Sequence, residues 1–146
     1  MRAPGPDASG PDGMEAGWID TDRGALFACH HPARGREQRD VAVLLCDPLG
    51  PDRMNLHLSY RALALALAGA GFPVLRVDPY GTCDSAGWPR EGRQVERWLE
   101  SLDAAAEWLR RTSGPAQLDL FGAPPGGTLG APLAARRRGV VTPALW

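Results

Sequence analysis

The chain of 146 residues contains no lysine, so all 16 of its basic residues are arginine. This absence excludes Schiff-base lysines, lysine general bases and the lysine that grips phosphates in nucleotide-binding loops. The formal net charge is only −1 at pH 7. Binding to nucleic acid or to an anionic membrane through bulk electrostatics requires a positive excess, so we expect neither partner.

Cysteine is scarce as well. Cys29, Cys46 and Cys83 are odd in number and widely spaced, and no C-x-x-C pair occurs. This pattern excludes a disulfide framework and a zinc knuckle, and it favours a reducing compartment. No apolar run approaches the roughly 20 residues of a membrane-spanning helix, and the N-terminus lacks the hydrophobic core of a signal peptide. We therefore expect a soluble, cytoplasmic protein.

Two histidines stand side by side in "ALFACHHPA". Adjacent residues of a strand point to opposite faces, so His30 and His31 are poorly placed to bind one metal ion. We expect both side chains at the surface of a strand end. The sequence thus predicts no metal site, and no motif in it requires a cofactor.

The domain organisation is simple. Residues 1–14 are rich in proline, glycine and small polar residues, which is typical of a flexible tail. The remaining stretch, 15–146, is long enough for one domain with a core of its own.

Apolar runs alternate with helical patterns along this domain. "GWID" and "ALFACHHPA" predict an antiparallel strand pair joined by the turn "TDRG". "DVAVLLCDPLG", "FPVLRVDPYG" and "AQLDLF" are apolar throughout, which is typical of central strands covered on both faces. "VVTPALW" predicts the start of a further strand.

Three helices are predicted between these strands. The first covers Leu56 to Ala70, and Gly69 and Gly71 mark its end. Its apolar stripe is formed by Leu56, Tyr60, Leu63, Leu67 and Ala70. The third covers Gly126 to Arg138. The second has one apolar stripe, formed by Val95, Trp98, Leu99, Leu102, Ala105, Ala106 and Leu109. Such alternation predicts an α/β protein with a mostly parallel sheet, an N-terminal antiparallel strand pair and flanking helices.

Five segments follow one another within residues 17–146: "LFACHHPA", "LLCDPLGPDRMN", "AGFPVLRVDPYGTCDSAGW", "LFGAPPGGTLGAPLA" and "ALW". In this order they resemble the α/β-hydrolase superfamily, and within it the serine aminopeptidase-like hydrolases associated with exosortase systems. The third segment resembles that family's G-T-G-D-S-A-G. The resemblance implies a partial α/β-hydrolase fold, in which residues 15–146 are the N-terminal part of the domain and stop after the helix that follows the nucleophile turn. It also implies hydrolysis of esters or acyl groups by a serine on that strand-to-helix turn.

The segment that resembles this nucleophile turn runs from Gly122 to Gly126. The position of the nucleophile is Pro124, which has no hydroxyl, thiol or carboxylate, so no catalytic residue is predicted. Pro125 follows and lacks the backbone N–H that the fold uses in its oxyanion hole. The resemblance implies Leu49 as the second donor. The predicted oxyanion or pocket residues are therefore Leu49, Gly50, Gly122 and Gly126.

A catalytic acid and a histidine would follow the nucleophile in this fold. The residues after Gly126 contain no Asp, Glu or His. Three hypotheses stay open: an inactive or fragmentary hydrolase-fold protein, a hydrolase completed by a partner chain, and a small binding module that uses a pocket above Leu49 and Gly122. A phosphate-binding loop also fits the glycine spacing of "GAPPGGTL", but the required lysine is absent.

Several other polar or reactive residues have structural interpretations. Turn hydrogen bonding is expected of Asp78, Asp84 and Ser85, because the resembling family uses this loop structurally. Cys83 replaces the family's second glycine, which suggests a loop relaxed from the family's pattern. Cys46 is expected in the core.

Two helical features and one strand complete the prediction. Packing explains Trp98 and Trp108, and Arg136 to Arg138 suit the C-terminal end of a helix. Residues 140–146 predict an apolar strand at the edge of the sheet. Such an edge favours self-association or a complementing chain.

Overall fold

The computed structural model describes residues 10, 12–34, 37–46, 51–122 and 140–145, with the backbone alone for 51–53 and 140–145. Within these ranges the chain forms strands and helices in the order β1 Glu15–Thr21, β2 Gly24–His31, β3 Val41–Leu45, α1 Pro51–Gly69, β4 Val74–Val77, α2 Gln94–Ser113, β5 Gln117–Gly122 and β6 Val140–Leu145.

The strands form one mixed sheet in the order β1-β2-β4-β3-β5-β6. β1 pairs with β2, and β2 with β4, in antiparallel orientation. The pairs β3/β4, β3/β5 and β5/β6 are parallel. The predicted fold class is confirmed: a mostly parallel sheet carries an antiparallel strand pair at its N-terminal side.

The antiparallel pair forms where the two short segments and the turn between them predicted it. Thr21 Oγ1 donates a hydrogen bond to the Gly24 carbonyl at 2.6 Å, which closes the turn between the strands. Trp18 and Phe27 are cross-strand partners, and their ring centroids lie 5.6 Å apart in an edge-on arrangement. Local turn and side-chain contacts therefore define this hairpin.

The central strands are buried on both faces, as their continuous apolar runs predicted. In β3, Ala42, Leu44 and Leu45 are fully buried and Val43 nearly so. Cys46 follows directly and is 3% exposed, which confirms its predicted place in the core. Both faces of the sheet are covered, one by each of the described helices.

Helix α1 covers one face. Tyr60 and Ala64 are buried against Val43, Leu45 and Val74. The helix begins at Pro51, five residues before the predicted start, since proline suits the first turn of a helix. It ends at Gly69, as predicted. Ala70 is exposed and lies beyond the helix, so its predicted place in the apolar stripe is wrong.

Helix α2 covers the opposite face. Its residues Leu102, Ala105, Ala106 and Leu109 pack against Leu44, Leu75, Leu118 and others of the sheet. Val95 is 55% exposed, so its predicted place in the stripe is wrong. Since the helix begins at Gln94, Val95 lies in a first turn that extends past the sheet. The buried polar residue Ser101 was not anticipated.

Some predictions fall outside the described residues. These are most of the tail 1–14, the third helix from Gly126 to Arg138, and Trp146. The predicted boundary between tail and domain stays a prediction. Asp12, just before β1, forms an ion pair with Arg61 of α1. In the part of the chain that is described, neither helix is long and apolar enough to cross a membrane.

Candidate functional site

The parallel strands β3 and β5 end at the same edge of the sheet. Their register pairs Leu45 with Phe121, and the Cys46 N–H donates to the Phe121 carbonyl at 2.8 Å. The chain therefore leaves both strands side by side. In parallel α/β sheets, binding sites form at the carboxyl ends of the strands. This edge is where the sequence placed the candidate site.

Of the predicted site residues, only Gly122 is described. It is the last residue of β5 and is buried. Leu49, Gly50 and Gly126 lie outside the described residues, as do Pro124 and Pro125. The structure thus fixes the ends of β3 and β5, after which the predicted site residues follow in the sequence.

Aromatic side chains pack between α1 and the end of β5. Tyr60 of α1 and Phe121 of β5 have ring centroids 6.2 Å apart in a tilted arrangement. Tyr60 is 4% exposed, and Phe121 packs against the same cluster. Contacts of this kind hold the end of β5 against the first half of α1.

The loop after β4 is held by the residues that the sequence singled out. Ser85 Oγ accepts from the Phe27 N–H at 2.8 Å and donates to the Asp78 carbonyl at 2.5 Å. Asp78 Oδ2 accepts from the Asp84 N–H at 3.3 Å. Asp78 and Ser85 are both buried. The predicted role of these three residues in turn hydrogen bonding is confirmed.

Cys83 adopts a backbone conformation that glycine adopts without strain. Its φ is 44°, one of two positive values at non-glycine residues in the described chain. The expectation that Cys83 relaxes this loop from a glycine pattern is wrong at this residue. The hydrogen bonds of Asp84 and Ser85 fix the turn, so Cys83 takes the left-handed conformation despite its Cβ.

Tyr80 joins the same loop to α2. Its carbonyl accepts from Gln94 Nε2 at 3.0 Å and from Trp98 Nε1 at 3.2 Å, and its N–H donates to Ser101 Oγ at 3.0 Å. The guanidinium of Arg97 lies 5.2 Å from the centre of its ring. Trp98 therefore positions the loop through a hydrogen bond in addition to its packing. The buried hydroxyl of Ser101 accepts the hydrogen bond of the Tyr80 N–H.

Two cavities flank this loop. The larger, of about 540 Å³, lies between the β1–β2 turn and α2, where Arg23 and Glu100 form an ion pair at 2.5 Å. The smaller, of about 290 Å³, lies on the α1 side. Its lining consists of Phe27, Cys29, Met54, His57, Arg76, Asp78, Cys83 and Asp84. Gly122 is not among the residues that line either cavity.

The adjacent histidines are buried, so their predicted surface position is wrong. His30 is 5% exposed: its Nδ1 lies 3.0 Å from Glu15 Oε2, and its ring meets Trp108 edge-on at 5.1 Å. His31 is fully buried. Burial, followed by the charge of Arg76, lowers the pKa of His31 from 6.5 to about 4. β2 lies between β1 and β4 in the sheet, and the helices cover its faces, so neither histidine is at the surface.

The opposite orientation of the two histidines agrees with the prediction. His30 packs on α2 through Trp108, and the alternation along β2 directs His31 to the α1 side. No group of three or more histidine, cysteine or carboxylate side chains suited to a metal ion occurs among the described residues.

Comparison with known proteins gives a consistent picture of the fold. No protein-family model and no curated protein matches the chain. An α/β serine hydrolase without a lid from Xanthomonas campestris matches with a TM-score of 0.69 at 25% identity, over 84% of this chain and 56% of its own. An α/β serine hydrolase homologue from Coxiella burnetii matches with a TM-score of 0.69 at 24% identity, over 85% and 58%.

A third neighbour is a peptidase by name. The proline iminopeptidase of Mycobacterium smegmatis matches with a TM-score of 0.65 at 19% identity, over 86% of this chain and 41% of its own. The chain therefore spans a little over half the length of the first two neighbours and less of the third. With its sheet order and flanking helices, the chain has part of the α/β-hydrolase fold.

Proposed function

We propose that this chain is an α/β-hydrolase-fold protein related to serine ester and acyl hydrolases, and that it has no serine-based hydrolytic activity of its own. Support comes from its likeness to the serine hydrolases of Xanthomonas campestris and Coxiella burnetii. The sequence resemblance narrows the proposal to the aminopeptidase-like hydrolases associated with exosortase systems.

The observation that carries the proposal is the side-by-side ending of β3 and β5. In this fold the nucleophile stands directly after the fifth strand, and the oxyanion donors come from the residue after it and from the loop after the third strand. Because Gly122 ends β5, the sequence assigns Pro124 to the position of the nucleophile.

Two consecutive prolines remove both the nucleophile and one oxyanion donor. Pro124 carries no group that can attack a carbonyl carbon. Pro125 cannot donate a backbone hydrogen bond to the developing oxyanion, and the loss of one such donor costs about 100- to 1,000-fold in rate. Leu49, Gly50, Gly122 and Gly126 are proposed to form what remains of the pocket.

A second candidate is a hydrolase completed by another chain. It is favoured by the share of its neighbours that this chain spans, 56% and 58%, and by the position of β6 at the edge of the described sheet. A complementing chain, or a second copy, would bind through residues 140–146 and supply the acid and histidine. We propose a cytoplasmic location because the three cysteines are odd in number, widely spaced and without a C-x-x-C pair.

The proposal predicts the absence of serine-based turnover. Removal of a serine hydrolase triad costs about a millionfold in rate, so steady-state hydrolysis of short-chain nitrophenyl esters should equal that of buffer. A fluorophosphonate probe should label no serine, as followed by mass spectrometry. Stoichiometric labelling of any serine would contradict the proposal.

The matched variant for this test is Pro124→Ser. It restores a hydroxyl without a base behind it, so turnover should stay at the level of buffer. Ester turnover by Pro124→Ser alone would mean that this chain does hold a general base at the site. Turnover that appears only when a second chain is added would favour the completed hydrolase.

A further inference from the structure

The smaller cavity brings together reactive groups from three separate elements. Cys29 belongs to β2, His57 to α1, and Cys83 to the loop after β4. The cavity volume of about 290 Å³ lies near the lower end of ligand pockets, which measure roughly 300 to 1,000 Å³. A thiol and an imidazole therefore line one small space at the carboxyl end of β4.

The ring of His57 has a defined hydrogen-bonding pattern. Its Nδ1 lies 2.9 Å from the carbonyl oxygen of Met54. A carbonyl only accepts, so Nδ1 carries the hydrogen and donates it, and the neutral ring then has its lone pair on Nε2. A histidine held in this way by its Nδ1 can accept a proton from a neighbouring nucleophile through Nε2.

Cys83 is presented on a fixed turn. Its side chain is exposed and its φ is 44°, which is uncommon for a residue other than glycine. The neighbouring residues Asp84 and Ser85 are hydrogen-bonded to Asp78, which fixes the backbone on one side of the thiol. The turn follows the end of β4, at the edge where α/β folds place their sites.

We propose that Cys83 is a nucleophilic thiol, that His57 accepts its proton, and that the smaller cavity receives a short apolar acyl group from a thioester. Phe27 and Met54 supply apolar lining for the acyl chain. This site goes beyond the proposed function, because it involves neither Pro124 nor the loops that follow β3 and β5.

The exchange is balanced without a further reactant. The Cys83 thiol gives its proton to Nε2 of His57, and Sγ attacks the carbonyl carbon of the thioester. The bond between that carbon and the leaving sulfur then breaks, and the leaving thiolate takes the proton from His57. The products are an acyl thioester on Cys83 and a free thiol.

The site is tested with S-butyryl-N-acetylcysteamine, a short-chain thioester, on the full chain at pH 7. The chain has no lysine, so trypsin cuts only at arginine and isolates the three cysteines in peptides 24–34, 40–53 and 77–90. Mass spectrometry should find one butyryl group, on Cys83. The buried Cys46 is an internal control that should stay unmodified.

Two variants separate a base-assisted thiol from an accessible one. His57→Gln, on the exposed side of α1, should slow acylation of Cys83 about tenfold or more at pH 7. The difference should disappear above about pH 8.5, where a thiol ionises without help. Asn55→Gln changes an exposed residue of α1 that does not line the cavity and should leave the rate unchanged.

Equal rates for the wild type and His57→Gln at pH 7 would overturn the proposal, as would acylation of Cys29 in place of Cys83. Either result would leave the proposed lack of serine-based turnover intact, since that proposal is judged by the labelling of serine. Labelling of a serine, in turn, would not affect the assignment of Cys83.

Discussion

His31 is an imidazole enclosed by protein without a hydrogen-bond partner for either ring nitrogen among the described residues. The charges around it oppose one another: Arg76 and Arg34 disfavour the protonated ring, whereas Asp12 favours it. Burial is the largest cause of its lowered pKa, so the folded state holds the ring neutral. Protonation of His31 should therefore destabilise the folded state.

The folded protein should lose stability as the pH falls from about 6.5 to 4. Because the pKa of His31 in the folded state is about 4, against 6.5 in an unfolded chain, protons bind the unfolded state more tightly across this window. The loss amounts to about 3 kcal/mol in the free energy of unfolding. Urea unfolding at a series of pH values measures it.

The matched variant is His31→Leu, which removes the titrating group from a site that satisfies neither of its nitrogens. Its free energy of unfolding should change less across the same pH window. An unchanged slope in His31→Leu would assign the acid sensitivity to other groups.

At the level of elements, the connection from β4 to α2 is held by contacts within the chain. Hydrogen bonds of Tyr80 hold this loop on α2, and a hydrogen bond of Ser85 holds it on β2. Gly87 has a φ of 100°, and a Cβ there would lie 2.2 Å from Tyr80 Cε1. The shape of the loop therefore depends on glycine at position 87 and on these hydrogen bonds, and residues of the loop line both cavities.

Gly87→Ala should destabilise the fold by about 1–3 kcal/mol, because alanine is strained at this φ and its methyl group meets the Tyr80 ring. Gly92→Ala lies in the same loop, with no atom within 4 Å of the added methyl group, and is the control. Thermal unfolding should show a lower melting temperature for Gly87→Ala alone. Equal melting temperatures would mean that Tyr80 moves aside without cost.

At the level of the whole molecule, β1 and β6 are the two edges of the described sheet. Natural edge strands are protected by prolines, charges or bulges. The register between β5 and β6 shifts near Leu120, whose partner is Pro143, so Thr142 is skipped in the pairing. Pro143 cannot donate to a neighbouring strand, which limits pairing at that edge without preventing it.

We predict that the chain is only marginally stable and self-associates through residues 140–146 when no partner chain is present. Sedimentation velocity at increasing protein concentration should show a growing fraction of dimer or larger species. Thr142→Lys places a charge at the skipped position and should weaken this association. Asn55→Lys adds the same charge on an exposed part of α1 and should have no effect. A compact monomer at all concentrations, with a cooperative melt well above 60 °C, would contradict the prediction.

The sequence by itself determined the order of the described strands and helices, the parallel centre of the sheet and the place of Cys46, because continuous apolar runs and helical periodicity record local burial. The predicted helix from Gly126 to Arg138 lies outside the described residues and stays a prediction. It also predicted the turn hydrogen bonds of Asp78, Asp84 and Ser85, through a motif. Of the predicted oxyanion and pocket residues, only Gly122 could be compared with the structure.

Tertiary structure alone decided the features that depend on distant segments. His30 and His31 are buried because β4 pairs with β2 and the helices cover its faces. The pattern of residues within β2 does not predict this burial. Val95 is exposed because the end of a helix can extend beyond the sheet it covers. Cys83 and His57 line one cavity because α1 and the loop after β4 lie near the same strand end. The spacing of these residues in the sequence does not predict that they are close in the fold.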